Sequence, residues 1–150
     1  MPIPEFDERG LLPPGVCDCT LAEIANRFCL NDHRRMLWAS FEHFLNAEYR
    51  PRGLPPVLWI DGSFSTDKAL PSDIDVVTDL YGAPEGVVGM ALGLHLESSR
   101  LKASYRVDFW PRHPLIPNDL TQFFQYVGDK RAAQLRIDPH DHKGILRVRL

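Results

Sequence analysis

The sequence predicts one α/β (α+β) domain, a small mixed sheet with flanking helices. Its 150 residues, 44% of them hydrophobic and 25% charged, are ordinary for a single globular domain with a sizeable core. Short apolar segments of strand length alternate with segments of helical period, an order that favours helices packed on a small sheet. No internal repeat or interdomain linker interrupts this pattern.

The first sixteen residues differ from the rest of the chain. They contain four prolines and no apolar period, which predicts an extended proline-rich arm over residues 1–16 and a domain over residues 17–150. Such an arm is suited to wrap a partner or a second copy of the chain, so a homo-oligomer is one expectation.

Two helices and a strand are expected next. Thr20 and Glu23 form a capping box that begins a helix running to about Phe28. Asn31 is placed to cap a longer helix with an apolar side. The apolar run Val57–Asp61 predicts a short strand buried on both faces.

The middle of the chain continues the alternation. Residues 63–69 are expected to form a helical turn or loop, and residues 73–78 a second strand. Pro84 stands at a first helical position and opens a helix with a wide apolar face to about Leu96. Residues 103–110 alternate in polarity, which predicts a strand with Asp108 on its polar face.

The last third is less regular. Asn118 is expected to cap a helix that Gly128 ends, with Phe123 and Phe124 on its buried side rather than forming a base-stacking platform. A polar loop then leads to a final strand over residues 145–150.

The most informative stretch joins Gly62-Ser63 to Asp73-Ile74-Asp75 across a polar loop. In an extended chain the carboxylates of Asp73 and Asp75 project from the same face, where they repel and raise each other's pKa. Magnesium resolves this repulsion, because hard divalent cations take oxygen ligands and hold substrate phosphates. Asp108 could join them if its strand pairs nearby, or it could form a surface ion pair with Arg106 or Arg112.

The Gly-Ser pair indicates a phosphate-binding site beside the metal-binding acids. Gly62 permits close approach of the backbone, and amide groups around Ser63 are suited to bind an anion. Lys68 lies in the following loop and either reaches a phosphate or is an ordinary exposed lysine.

Gly62-Ser63, nine intervening residues and Asp73-Ile74-Asp75 resemble the signature of the polymerase-β-type nucleotidyltransferase superfamily. The short chain is most similar to the minimal nucleotidyltransferases of bacteria and phages. Residues 12–21 and 143–146 also resemble an uncharacterised bacterial family with this core, which supplies no substrate.

The resemblance implies a role for each position. Asp73 and Asp75 would hold two magnesium ions, and Asp108 would complete one metal site and help deprotonate the attacking hydroxyl. Gly62 and Ser63 would hold the phosphates of a nucleoside triphosphate, most simply ATP, for transfer of a nucleoside monophosphate to a hydroxyl of a protein or RNA.

A second hypothesis is a non-catalytic, antitoxin-like or regulatory binding protein that retains this fold. Some minimal nucleotidyltransferases work beside a toxin, and the chain has no obvious second domain to grip an acceptor. This hypothesis expects a toxin-like partner protein.

Charge and hydropathy exclude other classes. The net charge of −3 argues against a broad surface for duplex DNA. No apolar run is long enough to span a membrane and the N-terminus lacks a signal peptide, so the cytoplasm is expected.

Two weaker metal patterns are present. Cys17, Cys19 and Cys29 are odd in number and spaced unlike common zinc sites, which favours free thiols. His140-Asp141-His142 lies between Pro139 and Gly144, which favours an exposed polar turn over a metal cluster.

Overall fold

The computed structural model describes residues 3–117 and 119–150, except for the side chains of Gln122 and Phe123. Within that part of the chain, five strands form one mixed sheet in the order β1-β5-β2-β3-β4. The strands are β1 (Gly15–Cys19), β2 (Val57–Asp61), β3 (Ile74–Asp79), β4 (Val107–Arg112) and β5 (Gly144–Arg149). The predicted small mixed α+β domain is therefore confirmed.

Strand pairing determines which residues meet across the sheet. Strand β2 runs antiparallel to both of its neighbours, β3 and β5, whereas β3 pairs with β4 in parallel and β1 with β5 in parallel. The register places Asp61 opposite Asp75, and Asp75 opposite Asp108. Side chains of directly paired residues project from the same face, so these three acids form one row across three strands.

Four helices cover one face of the sheet: α1 (Leu21–Phe28), α2 (Asp32–Phe44), α3 (Glu85–Leu96) and α4 (Ser98–Tyr105). Side-chain oxygens of Thr20 and Asn31 accept hydrogen bonds from the first turns of α1 and α2, which confirms both predicted caps. The main core lies between these helices and the sheet, and its fully buried members include Ile24, Phe28, Phe41, Phe44, Leu58, Ile60, Val76, Leu101, Phe109 and Leu146.

One predicted strand begins too early. Residues 103–105 belong to α4, and only residues 107–112 are extended, so the expected strand start was wrong. Three alternating residues are too few to separate a strand from a helix, and Leu101 buries itself in the core from the helical side. Arg106, with a φ of 54°, ends α4 in the left-handed region and turns the chain into β4.

The opposite face of the sheet has a thinner cover. Trp59, Val77 and Ile145 are buried there, with Trp110, Leu120 and Phe124 partly buried against them. The helix expected up to Gly128 is only α5 (Leu120–Phe123), and its expected cap, Asn118, lies outside the described residues. The following polar segment was expected to be a loop but contains α6 (Asp129–Leu135).

The N-terminal segment packs against the domain. Leu11 is 0% exposed and Leu12 is 1% exposed, and Leu11 forms an isolated antiparallel bridge with Thr66. Strand β1 begins at Gly15, so the expected boundary after residue 16 falls within a strand of the sheet. Among the described residues, no helix combines the length and apolarity that a bilayer crossing requires.

Candidate functional site

The structure brings the three sequence-predicted acids together on the thinly covered face of the sheet. Asp75 in β3 and Asp108 in β4 are paired neighbours, and Asp73 lies one residue before β3. The Lys102 ammonium, from α4, lies 3.3 Å from Asp73 Oδ2 and 4.0 Å from Asp108 Oδ2. Arg112 instead pairs with Asp79 and Asp119, so the alternative Asp108–Arg112 pair does not form.

Asp75 has the most perturbed environment of the three. Burial raises its pKa, and the nearby charges of Asp73, Asp61 and Asp108 raise it further, to about 8. A carboxyl group crowded by like charges holds its proton unless a cation compensates. The charge of Asp108, the hydrogen bond and charge of Asp73 and the charge of Asp75 raise the pKa of Lys102.

Gly62 connects the two halves of the sequence motif. It follows β2 with a φ of 75°, a left-handed backbone conformation that residues with a side chain rarely adopt. A Cβ atom at this position would overlap the Asp75 carboxylate. Glycine is therefore required both by the turn and by the close approach of the acid.

The Gly62 amide, expected to help bind phosphate, already has a partner within the protein. Gly62 begins a short 3-10 turn (Gly62–Ser65), and its N–H donates to Asp61 Oδ1 at 2.6 Å. That amide is therefore engaged within the protein. Ser63 and Lys68 line the neighbouring cavity, as the sequence interpretation requires of phosphate ligands.

This cavity has a volume of about 370 Å³. One wall is the segment 62–68 and the other is the segment 124–134, which includes the start of α6. Its cationic lining residues are Lys68, Lys130, Arg131 and Lys143, with Asp129 as the acidic one. A cavity rich in cations beside a carboxylate cluster is suited to a polyphosphate whose charge is shared between side chains and metal.

Arg34 fixes the loop that carries Ser63 and Lys68. It is 0% exposed, and its guanidinium donates to the carbonyl oxygens of Phe28, Phe64, Thr66 and Lys68 at 2.6–3.1 Å. Burial lowers the pKa of Arg34. A planar fork with five donors is suited to collecting several carbonyls at once.

Asp61 and Lys143 form a buried ion pair beside the acids. Asp61 is 0% exposed, and its Oδ1 accepts a hydrogen bond from Lys143 Nζ at 2.8 Å. Its Oδ2 is buried without a hydrogen-bond partner among the described residues. Burial raises the pKa of Asp61, while Lys143 opposes that rise.

Sequence reasoning assigned no role to Asp61, Lys102 or Arg34. Asp61 offered a signal, because an acid ending an apolar strand directly before Gly62 requires a partner. Lys102 preceded the expected strand, and only α4 turns it toward the acids. Arg34 carries no signal, since it resembles the charged residues beside it in the first turn of α2.

The weaker metal patterns do not converge with this site. Cys17, Cys19 and Cys29 are free thiols, and burial raises the pKa of Cys19 to about 12. The His140 side chain is 84% exposed in a turn. Across residues 3–117 and 119–150, no three or more His, Cys, Asp or Glu side chains form a ready-made metal centre.

The donor chemistry of the acid cluster nevertheless fits magnesium. All three donors are carboxylates, and among the described residues the one cation paired directly with the cluster is Lys102, a half-exposed side chain. The spacing of the donors is not that of a formed centre. Asp73, Asp75 and Asp108 are the residues that would hold the ion.

Comparisons with known proteins give a family without a stated activity. No curated protein and no solved structure matches the chain. A family model matches residues 4–149, nearly the whole chain, and on that basis the chain belongs to a family of unknown function, DUF6932.

Proposed function

We propose that this protein is a magnesium-dependent nucleotidyltransferase. It transfers a nucleoside monophosphate from a nucleoside triphosphate, most simply ATP, to a hydroxyl of a protein or RNA acceptor. The observation that carries the proposal is the convergence of Asp73, Asp75 and Asp108 beside a cavity lined by cations. A nucleoside triphosphate loaded with magnesium is a ligand that uses both parts of this site.

The three acids have two tasks in this proposal. Asp73 and Asp75 would hold both metal ions, and Asp108 would complete one metal site and help deprotonate the attacking hydroxyl. Bound magnesium would supply charge neutralisation at the entering and departing oxygens. Burial and the charges of Asp73, Asp61 and Asp108 raise the pKa of Asp75 to about 8, so this carboxyl group would have to lose its proton to bind a cation.

In this proposal the triphosphate binds in the cavity. Ser63 and Lys68 face the β- and γ-phosphates from one wall, and Lys130 and Arg131 face them from the other. Gly62 keeps the Asp75 carboxylate close to this wall, so the phosphate side and the metal side remain adjacent. Pyrophosphate is then the leaving group of attack at the α-phosphate.

The direct test has two independent readouts. Calorimetry with magnesium and a non-hydrolysable triphosphate measures binding without an acceptor, and labelled nucleoside triphosphates measure transfer to protein and RNA fractions. The variant Asp73→Asn/Asp75→Asn is expected to lose transfer by at least about 100-fold. Asp32→Asn is the matched control, since Asp32 is a fully exposed acid that pairs with Arg35 in the first turn of α2.

Absence of triphosphate binding by the wild-type protein would contradict an active enzyme. That outcome would favour the alternative, a non-catalytic, antitoxin-like or regulatory protein that retains the nucleotidyltransferase-like arrangement. Transfer by the wild type that survives in the double-asparagine variant would also contradict the roles given to the acids.

A further inference from the structure

We propose that the buried Asp61–Lys143 ion pair ties the two walls of the cavity together and so positions them for the nucleotide. This inference rests on the proposed function and adds to it a pair of positioning residues outside the three metal-binding acids. Lys143 acts through Asp61 and the backbone, whereas the more exposed cations of the cavity contact phosphate.

On the first wall, Asp61 controls the start of the Gly62–Ser65 turn. Its Oδ1 accepts two hydrogen bonds, one from the Gly62 N–H at 2.6 Å and one from Lys143 Nζ at 2.8 Å. Asp61 thereby orients the backbone from which Ser63 enters the cavity. The carboxylate is fully buried, so solvent offers no replacement for these partners.

On the second wall, the backbone around Lys143 holds the segment 125–128. The Lys143 N–H donates to the Gln125 carbonyl at 2.7 Å, and the Val127 N–H donates to the Asp141 carbonyl at 2.9 Å. Tyr126 forms an isolated bridge with His142. The Lys143 side chain therefore connects this wall to Asp61 through one short, charged contact.

A second ion pair also joins the two walls, and it provides a comparison. Arg131 Nη2 lies 3.0 Å from Asp67 Oδ1, but the Arg131 and Asp67 side chains are 25% and 50% exposed. The Lys143 and Asp61 side chains are 7% and 0% exposed. Water can replace a lost partner at the half-exposed Asp67 carboxylate but not in the buried pair, so the buried pair is the stronger constraint on the spacing of the walls.

The experiment compares Asp61→Asn, Lys143→Met, their double variant and the controls Asp67→Asn, for exchange, and Asp32→Asn, for affinity. Hydrogen exchange of the nucleotide-free protein reports on residues 62–68 and 125–128. Calorimetry reports the affinity for a magnesium-loaded, non-hydrolysable triphosphate. Each single variant leaves one buried charge without its partner and could fail to fold for that reason. The double variant removes both charges, so it still tests the pair if a single variant does not fold.

Both segments are expected to exchange at least about tenfold faster in the single and double variants than in the control. Triphosphate affinity is expected to fall about 10–100-fold in each single variant, and no further in the double variant, because both residues act through one contact. Asp67→Asn is expected to change exchange at both segments by less than about threefold. Because Asp67 pairs with Arg131, which faces phosphate in the proposed function, the control for affinity is Asp32→Asn at an exposed ion pair of α2, which is expected to stay within about threefold of wild type.

Three results would overturn the inference. Losses of affinity that multiply in the double variant would show that Lys143 contacts phosphate independently of Asp61. Unchanged exchange at both segments would show that the pair does not tie the walls. Absence of triphosphate binding by the wild type would overturn the proposed function and with it the nucleotide role of the pair. If the Asp61 and Lys143 variants still exchanged faster at both segments in that case, the pair would connect the walls and only the proposed function would be wrong.

Discussion

Asp75 carries a pH-dependent contribution to stability. Its pKa rises from 3.8 to about 8 on folding, so the folded protein retains a proton that the unfolded chain loses. The stabilisation is complete below about pH 4 and is lost progressively as the pH rises toward about 8. Asparagine at this position has no such titration.

We therefore expect wild type to lose at least about 1 kcal/mol of unfolding free energy relative to Asp75→Asn between pH 5 and pH 7.5. Urea unfolding of both proteins in the presence of a chelator measures this difference. Parallel pH profiles for the two proteins would contradict the environment described for Asp75.

Lys102 contacts two of the carboxylates that would hold a metal ion in the proposed function. Its ammonium contacts Asp73 and Asp108, while 57% of its side chain is exposed. We expect Lys102→Met to strengthen binding of magnesium or manganese about two- to fivefold, the range for an exposed ion pair. Calorimetric titration without nucleotide measures this, with Lys102→Arg as the charge-retaining control. Weaker metal binding by Lys102→Met would contradict the expected competition between Lys102 and the metal.

Among the elements, α2 stabilises the loop of the candidate site through Arg34. Replacement by lysine keeps the charge but supplies three donors on one nitrogen instead of a planar fork, which leaves some of the buried carbonyls unpaired. We expect Arg34→Lys to lower the free energy of unfolding by about 2–3 kcal/mol. Arg35→Lys, next in the same helix and 57% exposed at its side chain, is expected to change it by less than about 0.5 kcal/mol. Equal urea midpoints for both variants would refute this role.

The elements with explicit boundary signals were predictable. Thr20 and Asn31 are caps whose short polar side chains bond the following turn, and both helices begin where these residues predict. The elements without such signals were not predicted. Helix α4 follows Glu97 without a side-chain cap, and α6 begins after Gly128 without one.

Strand β1 shows a different limit of local reasoning. Its partner, β5, lies about 130 residues away, and the pairing of Gly15 with Gly144 is visible only in the folded sheet. The same limit applies to the site. Spacing predicts that Asp73 and Asp75 share a face, but the position of Asp108 depends on parallel pairing of β3 with β4.

At the scale of the whole molecule, the first strand, β1, pairs with the last strand, β5, and so joins the two ends of the described chain. Gly144 begins β5, and a Cβ atom there would collide with the Pro13 carbonyl oxygen. We expect Gly144→Ala to lower the free energy of unfolding by about 1–3 kcal/mol, because the backbone of the N-terminal segment has to move. Gly89→Ala is the control, since Gly89 lies in α3 with nothing within 4 Å, and a helical alanine there is expected to add about 0.5–1 kcal/mol. A Gly144→Ala protein more stable than wild type would show that the N-terminal segment is not closely packed against Gly144.

The position of β5 between β1 and β2 also has a consequence for biosynthesis. A growing polypeptide on the ribosome can form α1 and α2 early, but β1 has no neighbour in the sheet until residues 144–149 leave the exit tunnel. Completion of the sheet therefore has to wait for residues 144–149, and until then the Leu11-Leu12 segment and one edge of β2 are available to chaperones.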